Sequence, residues 1–527
     1  MNTNESNCIF ARPVNAASTL LLTTVVSLGL WLTPAGLTAQ TSAGNGQSQP
    51  QAGEPILQDK AAAPLVRTEW GSAQKASYAK AVAAMKALDT DPKCTKTPPD
   101  PICRTSWSYQ NSIHAGLCQH GGWEFLPWHR AYIYWFEQII RDKSGDPKLT
   151  LPYWNYTKGG ADDRKLPAEF RDDKSSLWDP ARRKAINDGD AMPPSAVKFD
   201  VAWKTKDFVG ESPDHFGGGR IRHHGINGGQ KGAVEVQPHD EVHDAVGGDM
   251  GSNAKAANDA IFWLHHAEID RLWYCWITVQ KRENPSKAVA ANAPWYAETY
   301  TFYDTKGAPQ PLKGDKVDDV TNLGYTYDNC PAKAALPSSE EELVQLAMQE
   351  SNEMAAAEEP PKTLASSKAG AQLAAEPVRL TIDLSPDAQD DIEAAALAKD
   401  ARSLVLRFDD ITADHPPRAY YEVYINLPET AQPDSNSRYY AGNIAMFGIS
   451  GPSMEMADHT MPSAHRIVGL NKAVRALMAS GEWDRNKVSV TFVMPLKLDA
   501  QEASDLRQAR PRFATMSIVL TSGGSEQ

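Results

Sequence analysis

Histidine placement constrains this chain more than any other feature. All but three of its 13 histidines, the exceptions being His415, His459 and His465, fall between positions 114 and 266. Seven of these ten form two groups: His114, His120 and His129, then His239, His243 and the adjacent pair His265–His266. In "PHDEVH", residues 238–243, His239 and His243 stand four apart, which puts both side chains on one face of a helix. His129 opens the apolar run "HRAYIYWFEQII", and His266 lies in "DAIFWLHHAEID" with Asp270 one helical turn further on. That spacing predicts Asp270 as the acceptor that fixes the ring tautomer of His266. Two groups of three imidazoles, each carried by a pair of helices, suit two metal ions side by side.

The donor set narrows the metal. All-imidazole ligation suits copper, zinc, iron or nickel. Zinc also takes three histidines in catalytic sites, but two such sites with no bridging carboxylate fit it less well. A di-iron carboxylate bundle needs Glu-x-x-His pairs, and the sequence has none, nor an H-E-x-x-H. Six neutral imidazoles favour copper.

The rest of the chain bounds the setting. At 527 residues it is long enough for two domains and a tail. Its net charge of −13, with no basic run, argues against nucleic acid as a partner. After Arg12 comes "AASTLLLTTVVSLGLWL", then Pro34 and a small-residue stretch, the order of an export signal. We read 1–39 as that signal, cleaved after Ala39, and 40–64 as a disordered lead-in. The protein is then periplasmic or secreted, and no later segment resembles a membrane span. Cysteines survive as disulfides in such a compartment. Cys94 with Cys103 and Cys275 with Cys330 are the expected pairs, leaving Cys118 two residues before His120.

Helical patterning at 69–88, 125–142, 238–246 and 257–280, separated by Gly-, Pro- and Asp-rich segments, predicts a mainly α domain over 65–335 with long loops. Residues 336–376 are Ala/Glu/Ser/Pro-rich and read as a linker. Beyond it, six period-two runs and one helical run, "SAHRIVGLNKAVRALM", predict an all-β, sandwich-like domain over 377–522. That domain has no catalytic constellation of its own, so it is a candidate lid.

The two histidine segments carry a family resemblance. "HGGWEFLPWHRAYIYWFE" and "DAIFWLHHAEID" resemble the signatures of the tyrosinase and polyphenol oxidase family of type-3 dicopper proteins, most closely its plant branch. The second usually has Asp-Pro where this chain has Asp259-Ala260. "TLPYWNY", "FYDTKG", "LGYTY" and "YYEVYINLPE" extend the match over roughly residues 65 to 520. The resemblance implies a four-helix bundle core holding the dicopper centre. It implies that His114, His120 and His129 bind copper A, and that His239, His243 and His266 bind copper B. On spacing alone His265 competes with His266. A thioether between Cys118 and His120 is implied too, as is a catalytic role for Glu235, which helps deprotonate the incoming phenol.

Asp240 stands where many monophenol-hydroxylating relatives have Asn, and is a second catalytic carboxylate candidate. Asn253 falls where plant enzymes often place Phe over copper B, implying a more open pocket, with Phe262 as part of its wall. The implied activity is oxidation of o-diphenols to o-quinones with O2 as co-substrate, together with ortho-hydroxylation of monophenols. The alternatives are a catechol oxidase without the hydroxylation, or an O2 carrier like hemocyanin. Small phenols are the expected partners, and the sequence does not fix the oligomeric state. Two side clusters lie off this pattern: the Gly-rich "HFGGGRIRHHG" (215–225), read as a pocket-rim loop, and the methionines of 446–461, read as gap fillers, in a loop from which the resemblance implies that one residue covers the active site.

Overall fold

Two helices too apolar to face water set the core. Phe125–Ser144 buries residues on every side and ends at Gly145, whose φ of 70° is the left-handed conformation glycine adopts without strain. Ile261–Thr278 is buried without a break from Ile261 to Trp273. Its first turn is satisfied by the Asp259 carboxylate, which accepts from Ile261 N at 3.0 Å and takes both prongs of Arg182 at 2.6 and 2.7 Å. Asp259 therefore holds the helix start, with Ala260 after it. The two helices meet through Phe136 stacked on Trp263, with ring centroids 3.4 Å apart. Trp107–Leu117 and the short Glu241–Val246 complete a four-helix core. Ser72–Leu88 packs outside it through Tyr78, Ala81, Val82 and Met85.

This computed structural model describes residues 63–220, 230–331, 361–398, 403–449 and 464–521. The export signal, all but the end of the lead-in, the linker through 360, His223 and His224 of the rim loop and most of the methionine-rich segment lie outside the described residues. Among the described residues no helix is long and apolar enough to cross a membrane.

Cys94–Cys103 and Cys275–Cys330 are both disulfides, the second joining the Ile261–Thr278 helix to the end of the catalytic region. The strand Leu65–Arg67 runs parallel to Tyr325–Tyr327 and feeds Arg67 into the interior. Arg67, fully buried, donates to Glu137 at 2.7 Å and to Asp270 at 3.2 Å. Asp270 also accepts from Arg130 at 2.5 Å, Tyr325 at 2.6 Å and Tyr327 at 2.5 Å. Burial pushes the Asp270 carboxyl up, but Arg130 and Arg67, with the two tyrosines, outweigh it and hold it below the usual range.

The C-terminal region is a pair of four-stranded antiparallel sheets. One runs in the order Ala464–Gly469, Ser403–Ile411, Thr515–Thr521, Lys362–Ser366. The other runs Tyr440–Ala445, Tyr420–Ile425, Lys487–Val493, Val378–Asp383. Their facing side chains, among them Leu406, Phe408, Val423, Val490 and Phe492, form a core of their own.

Two expectations need correction. The linker does not extend to 376: Lys362–Ser366 is an edge strand and Ala371–Gln372 pairs with Arg512–Phe513. These residues are polar because an edge strand faces water. The run "SAHRIVGLNKAVRALM" is not helical throughout. Ala464–Gly469 alternates buried and half-buried residues as a strand, and the helix begins at Asn471.

Removing one partner from a buried ion pair leaves the other charge uncompensated, at a cost of roughly 3–5 kcal/mol. Asp270→Asn should therefore lower unfolding stability by about that much. Asp383→Asn, at the exposed pair with Lys368, should leave the thermal transition in place. Equal transitions for the two variants would refute the assignment of Asp270 as the electrostatic anchor of the helical core.

Candidate metal centre

The helices deliver the histidines to one buried volume. Trp107–Leu117 carries His114, and Phe125–Ser144 carries His129. Between them Gly121, with φ of 70°, turns the chain so that His120 points inward. His239 follows a kink at Gln237, where φ of −145° and ψ of 122° break the helical stretch Glu235–Asp240. His243 comes one turn later on Glu241–Val246, and His265 and His266 come from Ile261–Thr278. One ligating atom each from His239, His243, His265 and His266 lies within 4.8 Å of the others. The same holds for His114, His129 and His266, and for His114, Cys118 and His120. His129 and His266 stack at 4.5 Å where the two groups meet.

Five of the rings are held by their Nδ1. His114 contacts Asn253 O at 3.0 Å, His129 Phe125 O at 2.8 Å and His243 Met250 O at 2.7 Å. His239 Nδ1 lies 2.9 Å from Asp240 Oδ1, and His120 Nδ1 lies 3.3 Å from Glu235 Oε1. A hydrogen on Nδ1 leaves Nε2 as a bare lone pair. In His120, His129, His239 and His243 that Nε2 meets no protein partner, and neither nitrogen of His266 does. Burial, and after it the neighbouring imidazoles, press His120, His239 and His266 far below the ordinary histidine range; burial likewise depresses His129 and His243. Leaving such acceptors buried and unmade costs on the order of 1–3 kcal/mol each. A cation that accepts several lone pairs removes that cost, so the residues fit a pair of metal ions.

The acids behave differently from expectation. Asp270 does not touch His266, because two arginines and two tyrosines occupy both its oxygens. Asp240 is not an open catalytic carboxylate: Oδ1 meets His239 and Oδ2 meets Lys231 Nζ at 2.5 Å. Glu235 accepts from Gly121 N at 2.8 Å. Burial pushes its carboxyl up to about 7, against the pull of Lys231 and the Gly121 amide.

Asn253 does not stand over the second group. Its carbonyl faces His114, and its side chain lies 3.4–3.5 Å from Cys118 Sγ, on the side of the first group. Phe262 is a wall residue, 4.2 Å from the His266 ring and 4.9 Å from that of His114. His265, whose Nδ1 meets Tyr156 OH at 2.9 Å, stays near the second group.

Sequence reasoning did not single out Phe125, Lys231 or Phe447, although it placed a covering residue somewhere in 446–461. Phe125 packs 4.6 Å from His239 and 4.8 Å from His129. Phe447 comes from the β-domain and stacks on His243 with centroids 4.1 Å apart and planes 10° apart. Its own N–H and that of Met446 donate to Asp244 Oδ2 at 2.9 and 2.8 Å. Arg466 donates to the carbonyls of Ala445 and Phe447 from the other side. Only Lys231 left a local signal, four residues before Glu235, the spacing of a helical acid–base pair.

Known proteins share these features. Residues 81–279, which include both histidine groups, match the family model of the common central domain of tyrosinase, and residues 360–505 match a domain of unknown function, DUF7868. Tyrosinase HcTyr1 of Hahella sp. (strain CCB-MM4) is 28% identical over 478 residues, covering 80% of this chain and 93% of that one. Aureusidin synthase of Antirrhinum majus is 27% identical over 286 residues, and the chain spans about half (49%) of its length. Among solved structures, latent aurone synthase shares the fold at a TM-score of 0.58 and 18% identity, covering 89% of this chain and 92% of that one. Latent apple tyrosinase does so at 0.55 and 20% identity, covering 90% and 99%. The match to the common central domain of tyrosinase spans the buried imidazoles that call for two metal ions; residues 81–279 are similar to the tyrosinases and polyphenol oxidases, and the match marks the chain as a dicopper oxidoreductase.

Proposed function

We propose that the chain oxidises o-diphenols to o-quinones with O2 and also ortho-hydroxylates monophenols. His114, His120 and His129 would hold one copper, and His239, His243 and His266 the other. The observation that carries this is the set of buried imidazoles whose Nδ1 atoms are occupied and whose Nε2 atoms are not. The coppers supply the exchange of electrons between phenol and O2. Two diphenols give up four electrons and four protons, which take one O2 to two waters.

The proton-handling group is Glu235. A carboxyl near 7 can both accept and return a proton at neutral pH, and it lies beside His120. Asp240 orients His239 instead, because both its oxygens are engaged. Its occupied state removes the free carboxylate that would repel a phenolate, which supports the hydroxylating activity. Export is part of the proposal, supported by two disulfides, which persist in oxidising compartments.

We propose further that the β-domain is a lid. Phe447 lies flat on His243, where an aromatic substrate ring would have to stack. The same closed geometry favours the second reading, an O2 carrier.

Three outcomes test the proposal. Wild-type protein should carry two coppers per chain, and His129→Ala or His266→Ala should lose one copper and all turnover. Zinc in the native protein, or a single copper, would overturn the dicopper reading. Cleavage within 336–360, or Phe447→Ala, should raise catechol oxidation several-fold at constant copper content and bring out tyrosine hydroxylation. Catechol rates that stay flat after cleavage would favour the carrier. If Cys118 and His120 are joined by a thioether, a digest should show their peptides linked and two hydrogens lighter, whereas alkylation of Cys118 by iodoacetamide in denatured, copper-loaded protein would refute the bond.

A further inference from the structure

Five of the six imidazoles have defined Nδ1 partners, and these are of two kinds. His114, His129 and His243 face backbone carbonyls. His120 and His239, one from each proposed copper site, face carboxylates, Glu235 and Asp240. Both carboxylates converge on one ammonium. Lys231 Nζ lies 2.5 Å from Asp240 Oδ2 and 3.8 Å from Glu235 Oε1, with 6% of its side chain exposed and both acids fully buried. The resulting path runs His120, Glu235, Lys231, Asp240, His239, and so links the outer sides of both sites.

Two buried carboxylates this close repel each other, and neither could keep its place beside an imidazole without a cation. Arg466 adds positive charge nearby, yet its N–H groups donate to the carbonyls of Ala445, His465 and Phe447. Among the described residues, Lys231 is the cation that touches the acids. A carboxylate on Nδ1 makes the opposite nitrogen a stronger donor and fixes its aim, and losing such a partner typically weakens metal binding by about 10–100-fold.

We propose that Lys231 is a positioning residue for both coppers at once, holding Asp240 on His239 and Glu235 on His120. The inference rests on the ligand assignment given above. It says that a residue contacting no ligand histidine sets the affinity of two metal sites, through two different acids.

The test is a copper titration of the full-length apoprotein against a competing chelator, resolving two dissociation constants. His120→Ala and His239→Ala assign which constant belongs to which site. Glu235→Gln should raise the first constant alone, and Asp240→Asn the second alone, each by about 10–100-fold. Lys231→Met should raise both, and Lys231→Arg should restore them to within a few-fold of wild type.

Because Lys231→Met leaves an orphaned carboxylate that could prevent folding, Asp240→Asn/Lys231→Met is the second variant. Removing both partners of that pair together should still weaken the His120 site, which Asp240→Asn alone leaves intact. An unchanged His120 site in the double variant, or a Lys231→Met effect confined to the His239 site, would overturn the inference while leaving the ligand assignment standing. Two coppers still bound after His120→Ala and after His239→Ala would instead bring down the assignment itself.

Discussion

Desolvation of neutral imidazole governs this structure. A histidine in water loses little by carrying a proton, but in the interior the charged form is disfavoured and the ring must hold one hydrogen and present one lone pair. The fold supplies a fixed acceptor for the hydrogen at five of the six rings, through Asn253 O, Glu235, Phe125 O, Asp240 and Met250 O. Those acceptors decide which nitrogen looks inward. The walls around them, Phe125 and Phe262, exclude water that would otherwise satisfy the lone pairs. The metal requirement is thus built by burial and tautomer control together, before any ion is considered.

What could be read from the sequence follows the range of the interactions involved. His239 and His243 were legible because a helix converts a four-residue spacing into one face, and both disulfide pairs were legible because few cysteines remained to choose from. The distant acceptors were not legible as such. Asn253 reaches back across 139 positions to His114, and Glu235 across 115 to His120. Asp270 shows the same limit from the other side. Its distance along the helix made it a reasonable partner for His266, yet Arg67, 203 positions away, and Arg130, 140 away, hold it instead. A buried carboxylate goes to the strongest donors within reach, and two guanidinium groups outweigh one neutral imidazole.

The β-domain was legible as a class because period two survives in strands with one face on a core. Its errors have local causes. Lys362–Ser366 is an edge strand with little apolar side chain to reveal it, and Ala464–Gly469 runs into a helix after a single residue, so the two periods merge. Of Phe447 only the neighbourhood, the 446–461 loop, was expected. Nothing in "AMFGIS" distinguishes a core phenylalanine from one that leaves its own domain and lies on a histidine of another.

How that phenylalanine is held bears on the proposed lid. The two domains meet through polar and charged contacts, Ser195 with Tyr420, Glu211 with His465, Arg183 with Glu502, Asp190 with Lys497, and Lys198 over the ring of Tyr440, and through apolar ones, Tyr420, Ala445 and Leu496 packing into the hydrophobic cluster of the helical domain. The polar groups are rehydrated on separation, whereas parting the apolar ones exposes their surface to water. Phe447 adds an aromatic contact on His243, and its segment is held by Asp244 on the Met446 and Phe447 amides and by Arg466 on the Ala445 and Phe447 carbonyls. Asp244 directly follows His243, and burial raises its carboxyl well above the usual range, so in the closed state the β-domain amides offset the desolvation of an acid that belongs to the catalytic domain. Opening would return that acid to solvent at the same moment that it bares His243. On the proposed lid reading, the apolar seam of Tyr420, Ala445 and Leu496 would hold the β-domain closed, while the polar contacts around it would be replaced by water on opening.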